Sequence, residues 1–447
     1  MTERGGYWAA PLLSERPVLR GRHTADAVVV GGGVSGVTIA LWLCRAGLRV
    51  TLLEAGALGG GMEKCAGVVS VSRRLQYAAL ERAFGLAAID AYACTQNQAL
   101  HSLRELLHTA GEKVEWQDTA LRLTVADEKL LPLLESEQNA MRRAGLSAEV
   151  TRSLQSPLPA VAALEMNGMA TLNPMEYLRF LLFQAQKAGV KVYEHSRVTA
   201  METNLAMTER GSVQAPYLII ATGYPIVNIP GWYFLRMEQR RARLVSLAGG
   251  GGFEGVYVDA NGAYVLRRRQ ETTLLEETGG RIGAPARWSR DTARLWEDAA
   301  SGRRIMQRQE GVIAFTPDGL PYIGPYSAQT PNLFVAAGYG GNGLLMSVVA
   351  AQAISARVLG LPYDAYEVYS GQRRKGAAAM AARTLGRYLG GYLWRPSAPR
   401  CSHLGCKLVY NQHSRLWECP CHGSRFDDIG HVLGAPAVQP ARLKRKK

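Results

Sequence analysis

The sequence predicts an α/β protein in which a parallel-stranded domain is interleaved with an α+β domain built on an antiparallel sheet, followed by a small β module. Three observations predict this. An apolar run at 27–30 ends in Gly31-Gly32-Gly33-Val34-Ser35-Gly36, a helix-compatible segment fills 37–46, and a second apolar run at 50–53 ends in Glu54. Runs at 240–247, 255–258, 263–267 and 272–275 read as strands of a second sheet. Four of the seven cysteines fall between Cys401 and Cys421, together with His403 and His422, so they do one local job.

With 447 residues, 47% of them hydrophobic and 20% charged, the chain has material for two or more domains with substantial cores. Seven cysteines in that length exclude a secreted disulfide scaffold. The first 17 residues lack the uncharged apolar core of a signal peptide, and no apolar run is long enough to span a bilayer. The expectation is a cytoplasmic protein with no transmembrane segment. Charge is concentrated at one end: residues 371–447 hold 15 Lys/Arg against 3 Asp/Glu, a net of +12 out of the chain's +15. Such a stretch suits anionic lipid, an acidic redox partner or nucleic acid, or is a solvated linker. Nucleic acid is set aside because no aromatic-interleaved binding motif accompanies the charge.

The first stretch is a Rossmann-like dinucleotide fingerprint. Gly31 permits the tight turn, Gly33 lets backbone approach a pyrophosphate, and Gly36 lets the helix pack on the sheet. The helix start at Val34 and Ser35 offers unpaired N–H groups and the positive dipole end. Glu54, about 20 residues on, accepts hydrogen bonds from ribose hydroxyls.

In chain order, 1–23 reads as an irregular lead-in. The loop at 56–67 is too glycine-rich for helix or strand and passes over the rest of a bound nucleotide, which makes Lys64 and Cys65 candidates for its reactive end. Cys65 reads first as a small buried residue. Segment 72–111 is helical, 112–125 suggests a short strand pair, and 128–145 another helix. Asn173-Pro174 opens a helix over 175–188. Strands follow at 190–192 and at 217–220, the latter ending in the small-residue turn Ala221-Thr222-Gly223. Segment 288–300 is helical. A turn-rich stretch containing Asp318 leads to a strand at 333–337 and the glycine turn 338–343, which opens a long helix and a second dipole site. Segment 363–369 is irregular. A basic amphipathic helix at 371–394 docks on the protein, with a membrane surface as the alternative.

On these residues the chain resembles the D-amino-acid oxidase-like flavoproteins, which include glycine and sarcosine oxidases and bacterial D-amino-acid dehydrogenases. The resemblance rests on the Gly31–Gly36 turn with Glu54, on Ile220-Ala221-Thr222-Gly223, and on Thr316 to Gly324 followed by the glycine turn. It spans 24–360 and implies FAD-binding parts at about 24–75, 150–235 and 305–360, with substrate-domain parts at about 76–149 and 236–304. It implies FAD contacts from Gly31, Gly33, Val34, Ser35, Gly36, Glu54, Ala221, Thr222, Gly223, Asp318, Gly338, Gly341, Asn342 and Gly343. The helix end at 338–343 would lie near the flavin N1/C2 oxygen, where its dipole stabilises the anionic reduced ring. No catalytic base is identified; Lys64 and Arg267 are the candidates. Arg267 is either a grip for a substrate carboxylate or, more simply, a solvent-facing strand arginine. Met62 and Glu63 stand where the family's loop carries Ser or Thr, and no cysteine in the glycine turn offers a covalent flavin link.

The C-terminal pattern is Cys401-x-His403 and Cys419-x-x-His422, separated by 15 residues. Two thiolates and two imidazoles hold either a [2Fe–2S] centre, with Cys401 and Cys419 on one iron and His403 and His422 on the other, or a zinc ion. Leu404-Gly405-Cys406 and Cys419-Pro420-Cys421-His422-Gly423-Ser424 resemble the Rieske family, whose pattern accounts for the two further cysteines. That resemblance implies a Cys406–Cys421 disulfide and a Ser424 donor to a cluster sulfur. Phe426 stands where respiratory members place a sulfur-bonding Tyr, which lowers the potential. It also implies a minimal module at 396–440 behind a basic linker at 361–395, short enough to depend on docking.

Together the resemblances imply an FAD-dependent oxidoreductase that oxidises an amine or amino acid and passes electrons through a Rieske cluster to an external one-electron acceptor. The alternative is a flavoprotein whose cluster is a redox sensor or a structural clamp. A flavoprotein fed by NAD(P)H would need a second nucleotide fingerprint; the sequence has a single one, which counts against that reading. The sequence leaves the oligomeric state open.

Overall fold

The computed structural model describes residues 7–8, 15–59, 61–109, 114–249, 252–285, 292, 304–394, 397–412 and 414–443. The strand Ala27–Val30 is buried along its whole length, as its unbroken apolar sequence requires of a strand covered on both faces. It pairs in parallel with Val50–Leu53 on one side and Tyr217–Gly223 on the other. Lys191–Tyr193 extends the sheet beyond the first, and Thr330–Ala337 then antiparallel Tyr322–Ser327 extend it beyond the second. The helix Val34–Arg45 packs against the helices Pro174–Ala188 and Gly343–Val358. Asn173 starts the former, its Oδ1 accepting from the N–H groups of Met175 (3.1 Å) and Glu176 (3.3 Å).

The second sheet runs, strand by strand, Ile305–Phe315, Glu238–Ala248, Thr272–Arg281, Tyr264–Arg269, Val256–Asp259, Trp116–Val125, Ala162–Leu172 and Val68–Val69, with Glu149–Thr151 beside Ala162–Leu172. The expected strand pair at 112–125 is instead one long strand, and its partner Ala162–Leu172 arrives only after the helix Leu131–Arg143. That partner carries Asn167-Gly168, a turn signal in sequence. In the fold Gly168 (φ 74°) sits beside a shift in register, where a bulge absorbs it without ending the strand. By sheet membership, Ala162–Leu172 and Ile305–Phe315 fall with the second sheet.

The helical segment expected at 72–111 splits at Gly85 (φ 85°) into Tyr77–Phe84 and Leu86–Thr109. Glu137 starts the first of these from another helix, accepting from the N–H groups of Gln76 (2.8 Å), Tyr77 (2.7 Å) and Ala78 (2.9 Å). Burial pushes its carboxyl up and the three donors pull it back. Glu137→Ala orphans three donors at once and is expected to lower the unfolding free energy by about 3 kcal/mol, read by urea titration.

The lead-in is not wholly irregular: Gly21–Thr24 joins Gly211–Gln214 in a small four-stranded sheet. A single helical turn, Tyr366–Tyr369, interrupts the irregular 363–369. The helix expected at 288–300 lies outside the described residues apart from Thr292. The basic stretch forms the helix Ala377–Trp394, and beyond it Val409–Asn411, Leu416–Glu418, Arg425–Phe426 and Val432–Gly434 make an antiparallel four-stranded module. Among the described residues no helix is long and apolar enough to cross a membrane.

Candidate functional site

The glycine turn is close-packed on one side and open on the other. A Cβ at Gly31 would lie 2.5 Å from the Ala221 carbonyl oxygen, and one at Gly36 would lie 1.8 Å from that of Gly31. A Cβ at Gly33 would meet nothing within 4 Å. No side chain caps the helix that Gly33 starts, so its first N–H groups point at this open ground. Glu54 is held at the turn's edge, accepting from the N–H of Gly32 (2.7 Å) and of Gly56 (2.8 Å).

From here a cavity of about 630 Å³ runs between the two sheets. Of the expected residues, Gly31, Gly33, Val34, Glu54, Thr222, Gly223, Gly338, Gly341, Gly343 and Lys64 line it. Gly36 and Ala221 act one layer behind, shaping Gly31. Ser35 bonds the hydroxyl of Tyr339 at 2.6 Å. Asn342 donates to the Ser70 carbonyl at 3.0 Å. Asp318 turns away to a buried ion pair with Arg373 (3.0 Å) and accepts from the Leu320 N–H, so its place is in the loop's own frame.

At the far end the helix Gly343–Val358 starts from Gly340 (φ 56°) and Gly341 (φ 98°), whose carbonyls accept from Arg74 and Arg73. Arg73 also pairs with buried Glu276 at 2.9 Å, and Glu276 accepts from the Ala66 N–H at 2.8 Å. This links the loop over the cavity to the second sheet. Sequence reading missed both arginines, although two adjacent cations closing the run Val68-Val69-Ser70-Val71-Ser72 were a usable signal. Lys64 lies in the cavity wall, and burial lowers its pKa below the ordinary value. Beside it, burial pushes the Cys65 thiol up to about 11, that of an inert cysteine.

Arg267 is not the solvent-facing arginine that its strand position suggested. It is 1% exposed, donates to the Leu172 carbonyl at 3.2 Å and stacks 5.2 Å from the Trp8 ring, behind the cavity wall and not in it. Its strand lies inside the second sheet, between Val256–Asp259 and Thr272–Arg281, and Trp8 covers its side chain; burial pulls its pKa down to about 10.

At the C-terminal module Cys401, Cys406, Cys419 and Cys421 are all buried. Cys406 and Cys421 are free thiols in this structure where the resemblance implies a disulfide, and their sulfurs lie with that of Cys419 within 4.8 Å of one another. The rings of His403 and His422 lie 4.9 Å apart at 86°. His403 Nε2 bonds Asn228 Oδ1 at 2.6 Å. An amide oxygen only accepts, so Nε2 carries the proton and Nδ1 keeps its lone pair. That Nδ1 and both ring nitrogens of His422 are buried with no hydrogen-bond partner. Burial lowers the imidazoles to about 4 and about 3, which keeps both neutral. Buried cysteines and two neighbouring neutral imidazoles with orphaned lone pairs in one module fit an iron–sulfur cluster. Ser424 is in hydrogen-bond contact with Cys401, and Phe426 is fully buried.

The module is clamped to the body. Arg241 and Glu418 form a buried ion pair (2.8 Å for Nη1–Oε1), and Glu418 also accepts from the Gly283 N–H at 2.9 Å. Gln239 lines the cavity, and its Nε2 donates to the carbonyls of His422 and Ala435, both at 2.8 Å. Phe234 sets its ring edge-on to His403 (5.7 Å) and to His422 (5.2 Å). Gly434, Ala435 and Arg425 of the module complete the cavity wall. Sequence reading missed Gln239, Phe234 and Asn228, since nothing local marks a residue that matters through a docked module.

A dinucleotide cradle walled in part by the module that carries a cysteine–histidine cluster defines a flavin-dependent oxidoreductase with a built-in iron–sulfur module. Residues 26–357 match the FAD dependent oxidoreductase family (DAO), and residues 393–445 match the Rieske [2Fe-2S] domain. The chain therefore belongs to the FAD dependent oxidoreductase family, with FAD and a [2Fe–2S] cluster as its cofactors, and the zinc alternative falls away. It is 24% identical, over 98% of its length and 96% of the relative's, to the putative Rieske 2Fe-2S iron-sulfur protein YhfW of Bacillus subtilis (strain 168). It is 27% identical to the gamma-glutamylputrescine oxidoreductase of Escherichia coli (strain K12), over 49% of this chain and 55% of that one. Among solved structures, L-proline dehydrogenase from P. horikoshii shares the fold, with a TM-score of 0.67 at 18% identity over 80% of this chain and 99% of that one.

Proposed function

We propose that this chain is a cytoplasmic dehydrogenase that oxidises an amine or amino acid and passes the electrons through its own cluster to an external one-electron acceptor. When bound, FAD supplies two-electron oxidation of a C–N bond and the cluster supplies one-electron transfer. The observation that carries the reading is the shared wall, in which Gln239 both lines the cavity and holds the His422 loop. The substrate class is supported by the relatives, among which are a gamma-glutamylputrescine oxidoreductase, an L-proline dehydrogenase and a glycine oxidase.

The residues divide the work. The helix end at 341–343 presents N–H groups and a positive dipole to the cavity, favouring negative charge there. Lys64 gives up its proton more readily than a lysine in water, which suits it to accept the proton released from a substrate ammonium. Activity is then expected to rise with pH through the lowered pKa of Lys64, because the neutral amine is the base. Lys64→Met is expected to lose that limb and about a hundredfold in kcat/KM, read from a pH–rate profile.

The test is anaerobic mixing of the holoprotein with a panel of amino acids and amines, followed by absorbance and by paramagnetic resonance. Flavin bleaching followed by cluster reduction is expected. A flavin that bleaches while the cluster stays oxidised would make the module a sensor or clamp.

A further inference from the structure

The helix Ala377–Trp394 carries its apolar face outward. Ala378, Ala382, Leu385, Leu389 and Leu393 recur at helical spacing on its exposed side, the three leucines being 58%, 55% and 79% exposed. The inward side holds the polar anchors: Thr384 is buried, Arg387 donates to Glu238 at 2.8 Å, and the Tyr392 hydroxyl donates to the Gly405 carbonyl at 2.8 Å. A helix that docks only to complete a core buries its leucines and exposes its arginines. This one exposes its three leucines and turns Thr384 and Arg387 inward, with Met380 its buried apolar contact and Arg383 left on the outside.

Its neighbours extend the pattern. Trp232, 50% exposed, precedes the turn Tyr233–Leu235 on which the helix packs, and Leu404, beside Gly405, is also exposed. Arg374, Lys375 and Arg383 are exposed along the same stretch, and no acidic residue occurs between Glu367 and Glu418. The helix has 18 residues with arginines at its middle, which rules out spanning and leaves an in-plane position.

We propose that this face rests on an anionic lipid bilayer, with the leucine stripe at the headgroup–acyl boundary and the flanking cations on lipid phosphates. A bilayer offers an apolar layer and a dense negative charge together, which is what the surface presents in complement. A second copy of the chain would instead bring two such basic faces together, and like charge opposes that pairing. Because Tyr392 bonds the loop between Cys401 and Cys406, the cluster module is carried to the membrane surface with the helix. The placement stands independently of any turnover, and its test reads binding alone.

The experiment is flotation of the full-length, FAD-loaded protein with phosphatidylcholine vesicles containing about one-third phosphatidylglycerol, at about 0.1 M salt, alongside pure phosphatidylcholine vesicles. The protein is expected to float with the anionic vesicles and at least about tenfold less with the neutral ones. The triple variant Leu385→Ser, Leu389→Ser, Leu393→Ser is expected to lose binding at least about tenfold while keeping its flavin absorbance. Arg383→Glu is expected to weaken binding about fivefold or more. Leu133→Ser, exposed on a distant helix, is the control and is expected to bind as the parent does. Failure of the parent to float, equal flotation of the triple variant, or a parent dimer that the triple variant abolishes without any vesicle binding would each overturn the proposal.

Discussion

Replacing Gly36 by alanine is expected to give a chain that purifies without flavin. The added carbon would lie 1.8 Å from the Gly31 carbonyl oxygen and 3.0 Å from its carbon, and both belong to backbone that has no rotamer to retreat into. The helix must lift from the strand, and the cradle opens with it. A loss in FAD affinity of at least about a hundredfold, ~3 kcal/mol, is expected in a fluorescence titration. Gly33→Ala separates the causes. Its new carbon meets no protein atom within 4 Å, so the apoprotein should melt as the parent does while FAD, which needs that ground, is excluded. If both variants retain FAD at parental affinity, the turn is not the phosphate site.

Removing one partner of the Arg241–Glu418 pair should be the costliest change in the module. The two side chains are 7% and 2% exposed, and Glu418 is also the acceptor for the Gly283 N–H and for the Asn411 amide at 3.1 Å. Glu418→Gln leaves a guanidinium buried without a counter-charge, at an expected cost of about 3–5 kcal/mol. A module this small has little stability of its own to set against that. Iron content and the cluster signal are therefore expected to fall steeply while flavin absorbance stays near the parental level. The apolar pair Arg241→Met with Glu418→Leu should recover much of the loss, since it removes both charges. Full iron occupancy in Glu418→Gln would show that docking does not depend on the pair.

The parts legible in the sequence were those whose chemistry is local. Gly31, Gly33 and Gly36 are constrained by a turn of six residues, and Cys401, His403, Cys419 and His422 by two short loops, so spacing alone reveals them. Asp318 was misleading because an acid in a turn-rich loop suits a nucleotide and a structural ion pair equally, and its partner Arg373 is 55 residues away. Arg267 was read as a solvent-facing strand arginine or a substrate grip, and nothing in the run Arg267-Arg268-Arg269 distinguishes the one buried residue from its two partly exposed neighbours. Ala162–Leu172 escaped notice for a related reason: Asn-Gly signals a turn unless a partner strand absorbs it as a bulge. Gln239, Phe234 and Asn228 were beyond reach, since their importance exists only once the module has docked.

The inward-facing imidazoles also bear on kinetics. A free-standing electron carrier meets its donor by diffusion, and its supply slows with dilution. With Phe234 and Asn228 against the two rings and Gln239 across the join, that meeting is completed when the chain folds. Under the proposed function the internal step becomes first order. Lowering the protein concentration leaves its rate constant unchanged, and salt finds no encounter complex to dissociate. Only the last, outward step then depends on how many acceptors the surroundings hold.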